Sequence, residues 1–477
     1  MGERLQAEGV DQGIGTRFAG PPSVPLLGWR LRGLQLLRDP PKFFMSLYER
    51  YGEVSAWDPN EPRQVFVASG RYIKQLLSDP DTFGVDGFRV MKLPQGSAMA
   101  HLARGVLSLN GAEHRQHRKL LMPAFRRQTF AHHVSAIVAA VRAELDRWRI
   151  GDYRRIDIDL MRLVTFISIK TMFGIDEPRR LERVYRAITT LLANTGTIGA
   201  VVLPYNIPGF SYARMLAAAE VVQREVQLSI DEKRRAGATG QDVLSVLVAT
   251  HDQEGGGLSD AELIGDAYTV LCHSTIASAL QWTLILLDQH RTARDAVIDE
   301  IHSVVEGDAP SLEELERLEL LEGVLKESMR LFPPSSISRR YAERDCMLGT
   351  YNIAKGTEIY FSHYVTHRMA CVFPRPLTFD PRRWIGTAEP SPYDYAPFGA
   401  GVHICVAKHF AMQEMKIMLA MMLKRMQLNL LPNTRVDRGL RLSMIPKGGL
   451  TMRVDSVGAS VEHTRIFGNI HESVDLE

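Results

Sequence analysis

One cysteine in a glycine-rich turn constrains this chain more than any other feature of its sequence. The stretch PFGAGVHICVAKHFA, residues 397–411, places Cys405 after two glycines and before a run of apolar residues. That run continues at helical spacing through Ala411, Met415 and Met422. Cys405 therefore lies at or just before a helix N-terminus, where free amides and the helix dipole are expected to lower the pKa of the thiol.

A thiolate in this position suits the axial ligand of a flat metal cofactor, because Gly399 and Gly401 can adopt positive φ and clear space beside the sulfur. Two other interpretations stay open from the loop alone. A lone cysteine is more commonly a buried structural side chain. A zinc site that combines Cys405 with His403 and His409 is the weaker alternative, since no second ligand pair follows at the usual spacing.

Composition excludes several classes of protein. The 477 residues are 45% hydrophobic and 23% charged with a net charge of +2, so no nucleic-acid partner is expected. The N-terminus lacks the apolar core of a signal peptide, and no run reaches the roughly eighteen apolar residues that span a bilayer. We therefore expect a cytoplasmic protein without a membrane anchor. Its four cysteines are far apart and are expected to be free thiols: Cys272, Cys346, Cys371 and Cys405.

The apolar patterns predict a mainly helical chain with small peripheral β-sheets. A hairpin is predicted at 54–68, helical periodicity then dominates to about residue 345, and short strands return at 356–362 and after residue 426. No alternation of strands and helices supports a doubly wound sheet.

Two helix starts carry a capping-box pattern. SDAE at 259–262 and SLEE at 311–314 each place a serine three residues before a glutamate, so that each side chain can satisfy a free amide near the other. The first is expected to open one long helix that runs to about His290.

Three further segments accompany the cysteine loop. In KESMR, residues 326–330, Glu327 and Arg330 share one helix face, which alone would indicate a solvated surface pair. FDPRRW at 379–384 precedes the loop, and HRQHRK at 114–119 alone would indicate a solvated basic face. None of the three decides a function by itself.

Together, in this order, these segments resemble the cytochrome P-450 family. The loop matches the family pattern FGxGxHxC through Phe398, Gly399, Gly401, His403 and Cys405. The resemblance covers nearly the whole chain. It implies the fold of that family, with one heme-binding domain at 21–455 after an irregular extension at 1–20. A polar tail follows at 456–477, and its last twenty or so residues are expected to be loose.

The resemblance also implies roles for individual residues. Cys405 would be the proximal thiolate ligand of heme b, and Phe398 would pack against its sulfur. Glu327 and Arg330 would form a buried network with Arg383 that braces the heme-binding core.

The two heme propionates need cationic or hydrogen-bonding partners. The resemblance assigns four side chains to them: His114, Arg118, Arg340 and His403. Arg339 could replace Arg340, because the sequence alone does not fix the register of this segment.

The distal helix departs from the family pattern. Where the family reads Ala-Gly-x-acid-Thr, this chain reads Leu271 to Thr275 as LCHST, so Ser274 replaces the acid and Cys272 the glycine. Thr275 and Ser274 are the candidate catalytic residues, and with ordered water they would deliver protons in an ordinary monooxygenation. The alternative is that delivery depends on a substrate hydroxyl, or that the chemistry is unusual, such as desaturation, ring formation or rearrangement.

Electrons would come from a separate partner, because the chain has neither a nucleotide-binding glycine motif nor a cysteine cluster for iron and sulfur. The resemblance implies ferredoxin or flavodoxin with a reductase that draws on NAD(P)H, and O2 as co-substrate. Basic residues on the proximal side would attract an acidic carrier: Arg115, His117, Lys119, Arg126, Arg127 and Lys408.

The implied substrate is a lipophilic small molecule of bacterial secondary metabolism, either free or bound to a carrier protein. The regions that would line its pocket contribute apolar side chains: Phe88, Val90, Leu203, Leu271 and Ile337. Two other classes stay open at this point. One is a heme-thiolate isomerase or dehydratase, and the other is a non-catalytic heme-binding protein.

Overall fold

The computed structural model describes residues 16–22, 30–85, 91–195, 197, 199–200, 203–253, 258–271, 274–440, 442–459 and 464–477, and the structural statements below concern these residues. The prediction of a mainly helical chain is confirmed. In chain order the helices are α1 Arg30–Arg38, α2 Pro40–Tyr51, α3 Gly70–Ser78, α4 Ala98–Leu102, α5 Gly111–Leu121, α6 Arg127–Leu145, α7 Ile156–Phe173, α8 Pro178–Asn194, α9 Ser211–Arg235, α10 Val243–Gln253, α11 Asp260–Thr269, α12 Ser274–Gln289, α13 Arg291–Val304, α14 Leu312–Arg317, α15 Glu319–Leu331, α16 His363–Thr366 and α17 Lys408–Arg425.

The strands are short and form small sheets. They are β1 Val54–Ala56, β2 Gln64–Val67, β3 Phe83–Gly84, β4 Tyr153–Arg155, β5 Ile337–Ala342, β6 Cys346–Leu348, β7 Tyr351–Ile353, β8 Glu358–Ser362, β9 Gln427–Leu430, β10 Arg438–Leu440, β11 Met444–Pro446 and β12 Thr451–Asp455. One sheet has the order β1-β2-β8-β5-β3 and another the order β4-β12-β9, while β6–β7 and β10–β11 are separate hairpins. Within these sheets β2 and β8 run parallel and the other recorded pairs antiparallel.

Both predicted capping boxes are confirmed. Ser259 and Glu262 satisfy each other's amides at the start of α11, and Ser311 and Glu314 do the same at the start of α14. The single long helix expected from Ser259 is instead described as α11 and α12. The α-helical bonding of α11 ends at Thr269, residues 270–271 form a turn, and the helix resumes at Ser274.

The core is built around α12. Every residue from Ala277 to Gln289 is buried, and the fully buried indole of Trp282 stacks on Phe332 at 4.0 Å. The stretch Asp260–Gln289 is long and apolar enough to cross a membrane by length and composition, contrary to the sequence prediction that no such run exists. Because 75% of that window is buried inside the protein, a core helix accounts for its apolar character.

The C-terminal residues are ordered on the body of the protein. Ile470 and Val474 are buried, and the hydroxyls of Tyr364 and Ser473 lie 2.9 Å apart. The Arg438 guanidinium binds the Glu472 carboxylate at 2.7 Å. The expectation of a loose polar tail is therefore wrong for residues 464–477, because apolar side chains spaced along a polar segment fasten it to the core.

Candidate heme-binding site

The cysteine loop folds back on itself through one backbone bond. The N–H of Cys405 donates to the carbonyl of Phe398 at 2.9 Å, and Gly399 and Gly401 between them have φ of 72° and 68°. A Cβ on Gly401 would lie 2.4 Å from the carbonyl oxygen of Leu77. Only glycine permits this close approach together with positive φ, and α17 begins three residues after the cysteine.

The surrounding chain desolvates the Cys405 thiol. The residue is exposed, yet the chain around it is dense enough that desolvation raises the pKa of the thiol. The amide of Ala407 and the charge of Arg118 oppose this rise without cancelling it. The sequence prediction of a lowered pKa is therefore wrong for the polypeptide itself, because burial outweighs the amides. A coordinated metal ion reverses the balance, since it deprotonates a bound thiol outright.

Three of the four expected propionate partners lie beside the loop. The buried ring of His114 lies against that of His403 with centroids 4.0 Å apart and a tilt of 34°, and the two are brought together by α5 and by the turn before Cys405. Arg118, one helical turn after His114, donates to the carbonyl of Ile404 at 2.6 Å. Burial lowers the pKa of His114 to about 4, so this ring is neutral at physiological pH and acts as a hydrogen-bonding group.

The structure distinguishes the two arginines of β5. Arg339 lies 3.8 Å from the Glu358 carboxylate and also donates to Tyr360, so its charge is matched. Arg340 is 9% exposed, donates to the carbonyl of Arg339, and lies over the Phe361 ring. Desolvation lowers the pKa of Arg340 to about 10.

Arg340 is buried and Arg118 half-buried, and no described carboxylate pairs with either. A desolvated charge without a counter-charge is costly, so two such arginines favour an anion from outside the polypeptide. Two heme propionates would supply that charge, and the donor set fits heme on this ground. Arg340 fits the role better than Arg339, whose charge is already matched.

Behind the loop, Glu327 lies at the centre of a dense buried network. Its carboxylate and the Arg330 guanidinium are both 0% exposed and form two bonds of 2.8 and 2.9 Å. The carboxylate also accepts from the N–H of Asp380 at 3.1 Å, from Arg383 at 3.3 Å and from the indole of Trp384 at 2.9 Å. The motif is therefore no solvated surface pair.

Arg330 uses its remaining donors on the backbone. It bonds to the carbonyls of His367, Pro376 and Thr378 at 2.7 to 3.0 Å. His367 then accepts from the N–H of Ala396 at 3.0 Å, directly before the cysteine loop. His367 and Trp384 were not predicted as part of this network; Trp384 belongs to the PRRW segment, whereas nothing in the sequence pointed to His367.

On the distal side, the structure describes part of the expected set. Ser274 is the first residue of α12, half-buried, and its Oγ lies 3.5 Å from the Oγ of Ser443. Thr275 follows it in the same helical turn. Cys272 and His273 lie outside the described residues.

The expected pocket residues are only partly described. Phe88 and Val90 lie outside the described residues. Leu271 is buried in the main core, Ile337 packs with a separate cluster on α2, and Leu203 is 47% exposed. The recorded contacts do not bring these three together.

The expected basic patch needs one correction. His117 is 1% exposed, and its Nδ1 lies 2.7 Å from the buried Asp266 carboxylate of α11, so it cannot belong to a surface. Arg127 is exposed and paired with Glu316. The other expected members are exposed: Arg115, Lys119, Arg126 and Lys408.

The zinc alternative finds no support in the geometry. Among the described residues, no group of three or more His, Cys, Asp or Glu side chains could hold a metal ion. His403 is instead engaged by the carbonyl of Leu109 at 3.1 Å, and the His409 ring contacts Phe130.

Comparison with known proteins identifies relatives over most of the chain. The family model for cytochrome P-450 matches residues 19–452. Cyclooctat-9-en-7-ol 5-monooxygenase of Streptomyces melanosporofaciens is 30% identical over 88% of this chain and 91% of its own length. Pentalenene oxygenase of Streptomyces avermitilis is 27% identical over 87% of this chain and 92% of its own. Among solved structures, retinoic acid-bound cyanobacterial CYP120A1 superposes with a TM-score of 0.79 over 93% of this chain and all of its own, at 22% identity.

Proposed function

This chain belongs to the cytochrome P-450 family and is a monooxygenase of it, and from that premise we propose that it hydroxylates or epoxidises a lipophilic terpenoid in bacterial secondary metabolism. The observation that carries the proposal is the desolvated thiol of Cys405, because Arg118 and Arg340 near its loop have no described carboxylate partner. A heme domain that spans residues 21–455 accommodates all these groups.

When bound, heme supplies the activation of O2, so that substrate RH, O2, two electrons and two protons give ROH and H2O. The chain would hold the group from two sides. Cys405 would ligate the iron, with its loop fixed by the backbone bond to Phe398. The propionates would bind His114 and His403, whose rings are neutral because burial lowers the pKa of both.

The positive charge at the propionates would come from Arg118 and Arg340. Both side chains are anchored through backbone carbonyls, of Ile404 and Arg339 respectively, so little ordering is needed when an anion binds. The network of Glu327, Arg330 and Arg383 would keep the proximal segments in register.

Ser274 and Thr275 would deliver the two protons. A hydroxyl can accept one proton while giving another, so a chain of hydroxyls and ordered water moves protons without a carboxylate. Thr275→Ala is expected to lower the product formed per NAD(P)H consumed and to raise peroxide release. An unchanged ratio would remove Thr275 from the relay.

Two relatives support the terpenoid class, because their names describe oxidation of cyclooctatenol and pentalenene. Leu271, four residues before Thr275 in the chain, is buried and is compatible with an apolar ligand. The terpenoid would be either free or bound to a carrier protein.

Electrons would come from NAD(P)H through a reductase and ferredoxin or flavodoxin in the cytoplasm. Arg115, Arg126 and Lys408 are exposed and would attract such an acidic carrier. Turnover should then fall as salt rises from roughly 50 to 500 mM, since screening weakens this attraction. Salt-independent turnover would contradict this docking site.

The deciding experiment is a titration of the ferric protein with terpenes, terpene alcohols, fatty acids and macrolactones, followed by the heme spin state. A saturable Soret shift by terpenoids, together with O2 uptake and an oxygenated product, is the expected result. A terpenoid converted without O2 uptake would instead support an isomerase or dehydratase. Heme binding with neither ligand shift nor O2 uptake would support a non-catalytic heme-binding protein.

A further inference from the structure

The tip of the β10–β11 hairpin meets the start of α12. Ser443 at this tip is buried, and its Oγ lies 3.5 Å from the Oγ of Ser274, although the two residues are 169 positions apart. Hydroxyl pairs usually bond at about 2.5 to 3.0 Å. The two serines therefore satisfy each other weakly, and a third oxygen that lies to one side of both hydroxyls can bond to each at a shorter distance.

The hairpin is fastened to α12 so that this pair is held in place. The carbonyl of Met444, the next residue, accepts from the hydroxyl of Ser278 and from the indole of Trp282 at 2.8 Å. Ser274, Ser278 and Trp282 are each four residues apart and lie on one helix face. Two of the three polar groups in this row are thus bound to Met444, while the Ser274 hydroxyl faces the tip of the hairpin.

The pair is partly buried. Ser443 is 4% exposed and Ser274 half-buried, and the chain on either side contributes buried apolar residues, Met444 after Ser443 and Leu271 three residues before Ser274. A buried hydroxyl with only a weak partner costs free energy, which a well-placed hydrogen-bonding ligand recovers. Ser274 also occupies the position where the family has its distal acid, so the pair lies at the point where protons would be delivered.

Resting on the proposed monooxygenase function, we propose that Ser274 and Ser443 together bind one hydroxyl group in the distal pocket, either that of an alcohol substrate or that of an ordered water. One hydroxyl can donate to the first serine and accept from the second. A substrate alcohol held there would be fixed in orientation, which sets the carbon that is oxidised. A water held there would relay protons, taking one up as it gives one away, in place of the missing acid.

The first test separates the two sources through binding. Kd values are measured from the Soret shift for cedrol, a cyclic terpene alcohol, and for cedrane, the hydrocarbon of the same skeleton. Ser443→Ala is compared with the wild type, with Ser443→Thr, which keeps the hydroxyl, and with Ser303→Ala on the exposed face of α13 as a matched control. Circular dichroism confirms that each variant is folded.

The second test needs no substrate. NADPH consumption and peroxide release are measured with a plant-type ferredoxin and its reductase, in H2O and in D2O. If the pair binds a substrate alcohol, Ser443→Ala raises the Kd of cedrol roughly fivefold, as expected for one lost hydrogen bond, and keeps the Kd of cedrane within about twofold of the wild-type value. If it binds water, both affinities stay within twofold, while peroxide per NADPH rises at least about twofold and the solvent isotope effect changes.

In either case Ser443→Thr should restore most of the wild-type value. The proposal is overturned if Ser443→Ala changes none of these quantities, or if it weakens cedrol and cedrane equally, which would indicate packing alone. If the wild type binds neither cedrol nor cedrane, the bound hydroxyl does not come from a cyclic terpene alcohol. The solvent isotope effect and the peroxide release then decide whether the serine pair binds water. A wild type without O2 uptake would refute the proposed function itself, whereas normal uptake with no effect of Ser443→Ala refutes only the serine pair.

Discussion

Replacing Arg330 by alanine tests how strongly the network around Glu327 supports the heme-binding core. The substitution removes both bonds of a fully buried ion pair and leaves the Glu327 carboxylate charged at 0% exposure. It also takes the donor away from the backbone carbonyls of His367, Pro376 and Thr378. Breaking a buried pair of this kind costs about 3 to 5 kcal/mol.

That cost is large beside a typical unfolding free energy of about 5 to 15 kcal/mol. Arg383→Ala is the matched comparison, because Arg383 is 15% exposed and makes one bond of 3.3 Å to a carboxylate that keeps its other donors. Its loss is expected to cost only about 1 to 2 kcal/mol. Arg330→Ala should therefore yield protein with little or no heme, and Arg383→Ala protein with most of it.

The assay combines heme per chain, from the pyridine hemochrome spectrum, with urea unfolding followed by far-ultraviolet circular dichroism. The reasoning is refuted if Arg330→Ala retains full heme and unfolds at the same urea concentration as Arg383→Ala. Equal and severe loss in both variants would also contradict it, since the exposed arginine would then matter as much as the buried one.

Two further predictions concern the loop and the dependence on pH. Gly401→Ala should lower heme retention far more than Gly399→Ala. Both positions need positive φ, which costs alanine about 1 to 2 kcal/mol. A Cβ on Gly401 would clash with the backbone oxygen of Leu77 at 2.4 Å, whereas one on Gly399 would meet that of His403 at an ordinary contact distance of 3.7 Å. Equal heme retention in the two variants would contradict this. Burial lowers the pKa of His363 from 6.5 to about 4 in the folded protein. Between these pH values the unfolded chain binds a proton at His363 that the folded protein does not bind. The free energy of unfolding should therefore fall as the pH drops below 6.5 and level off below pH 4. The whole pKa shift corresponds to about 3 kcal/mol of unfolding free energy. Urea unfolding between pH 7 and 4 should show a smaller loss of unfolding free energy in His363→Gln than in the wild type. An equal loss in both proteins would exclude this histidine as the cause.

Structural features that depend on a few neighbouring residues were predicted well from the sequence. The capping boxes at Ser259 and Ser311 depend only on neighbours three positions away, and the structure confirms both. The spacing of Glu327 and Arg330 correctly placed them on one face. Their burial did not follow from spacing, because it depends on Trp384 and the other partners that arrive about 50 residues later.

Other features depend on contacts that no local pattern encodes. The sequence predicted His117 as part of a basic surface, but it is buried in the core, where it contacts Asp266 of another helix. The end of α11 at Thr269 could not be predicted, because no proline or glycine lies at that point in the sequence. The approach of Ser443 to Ser274 depends on how the β10–β11 hairpin packs on α12, which is a property of the folded chain.

The most direct test of the account is the carbon monoxide difference spectrum of the reduced protein. With Cys405 as thiolate ligand, the wild type should show the long-wavelength Soret band of a heme-thiolate complex, and Cys405→Ser, if it retains heme, should lack it. A wild-type band typical of histidine ligation, or a thiolate band that survives in Cys405→Ser, would contradict the assignment of Cys405 and the mechanism built on it.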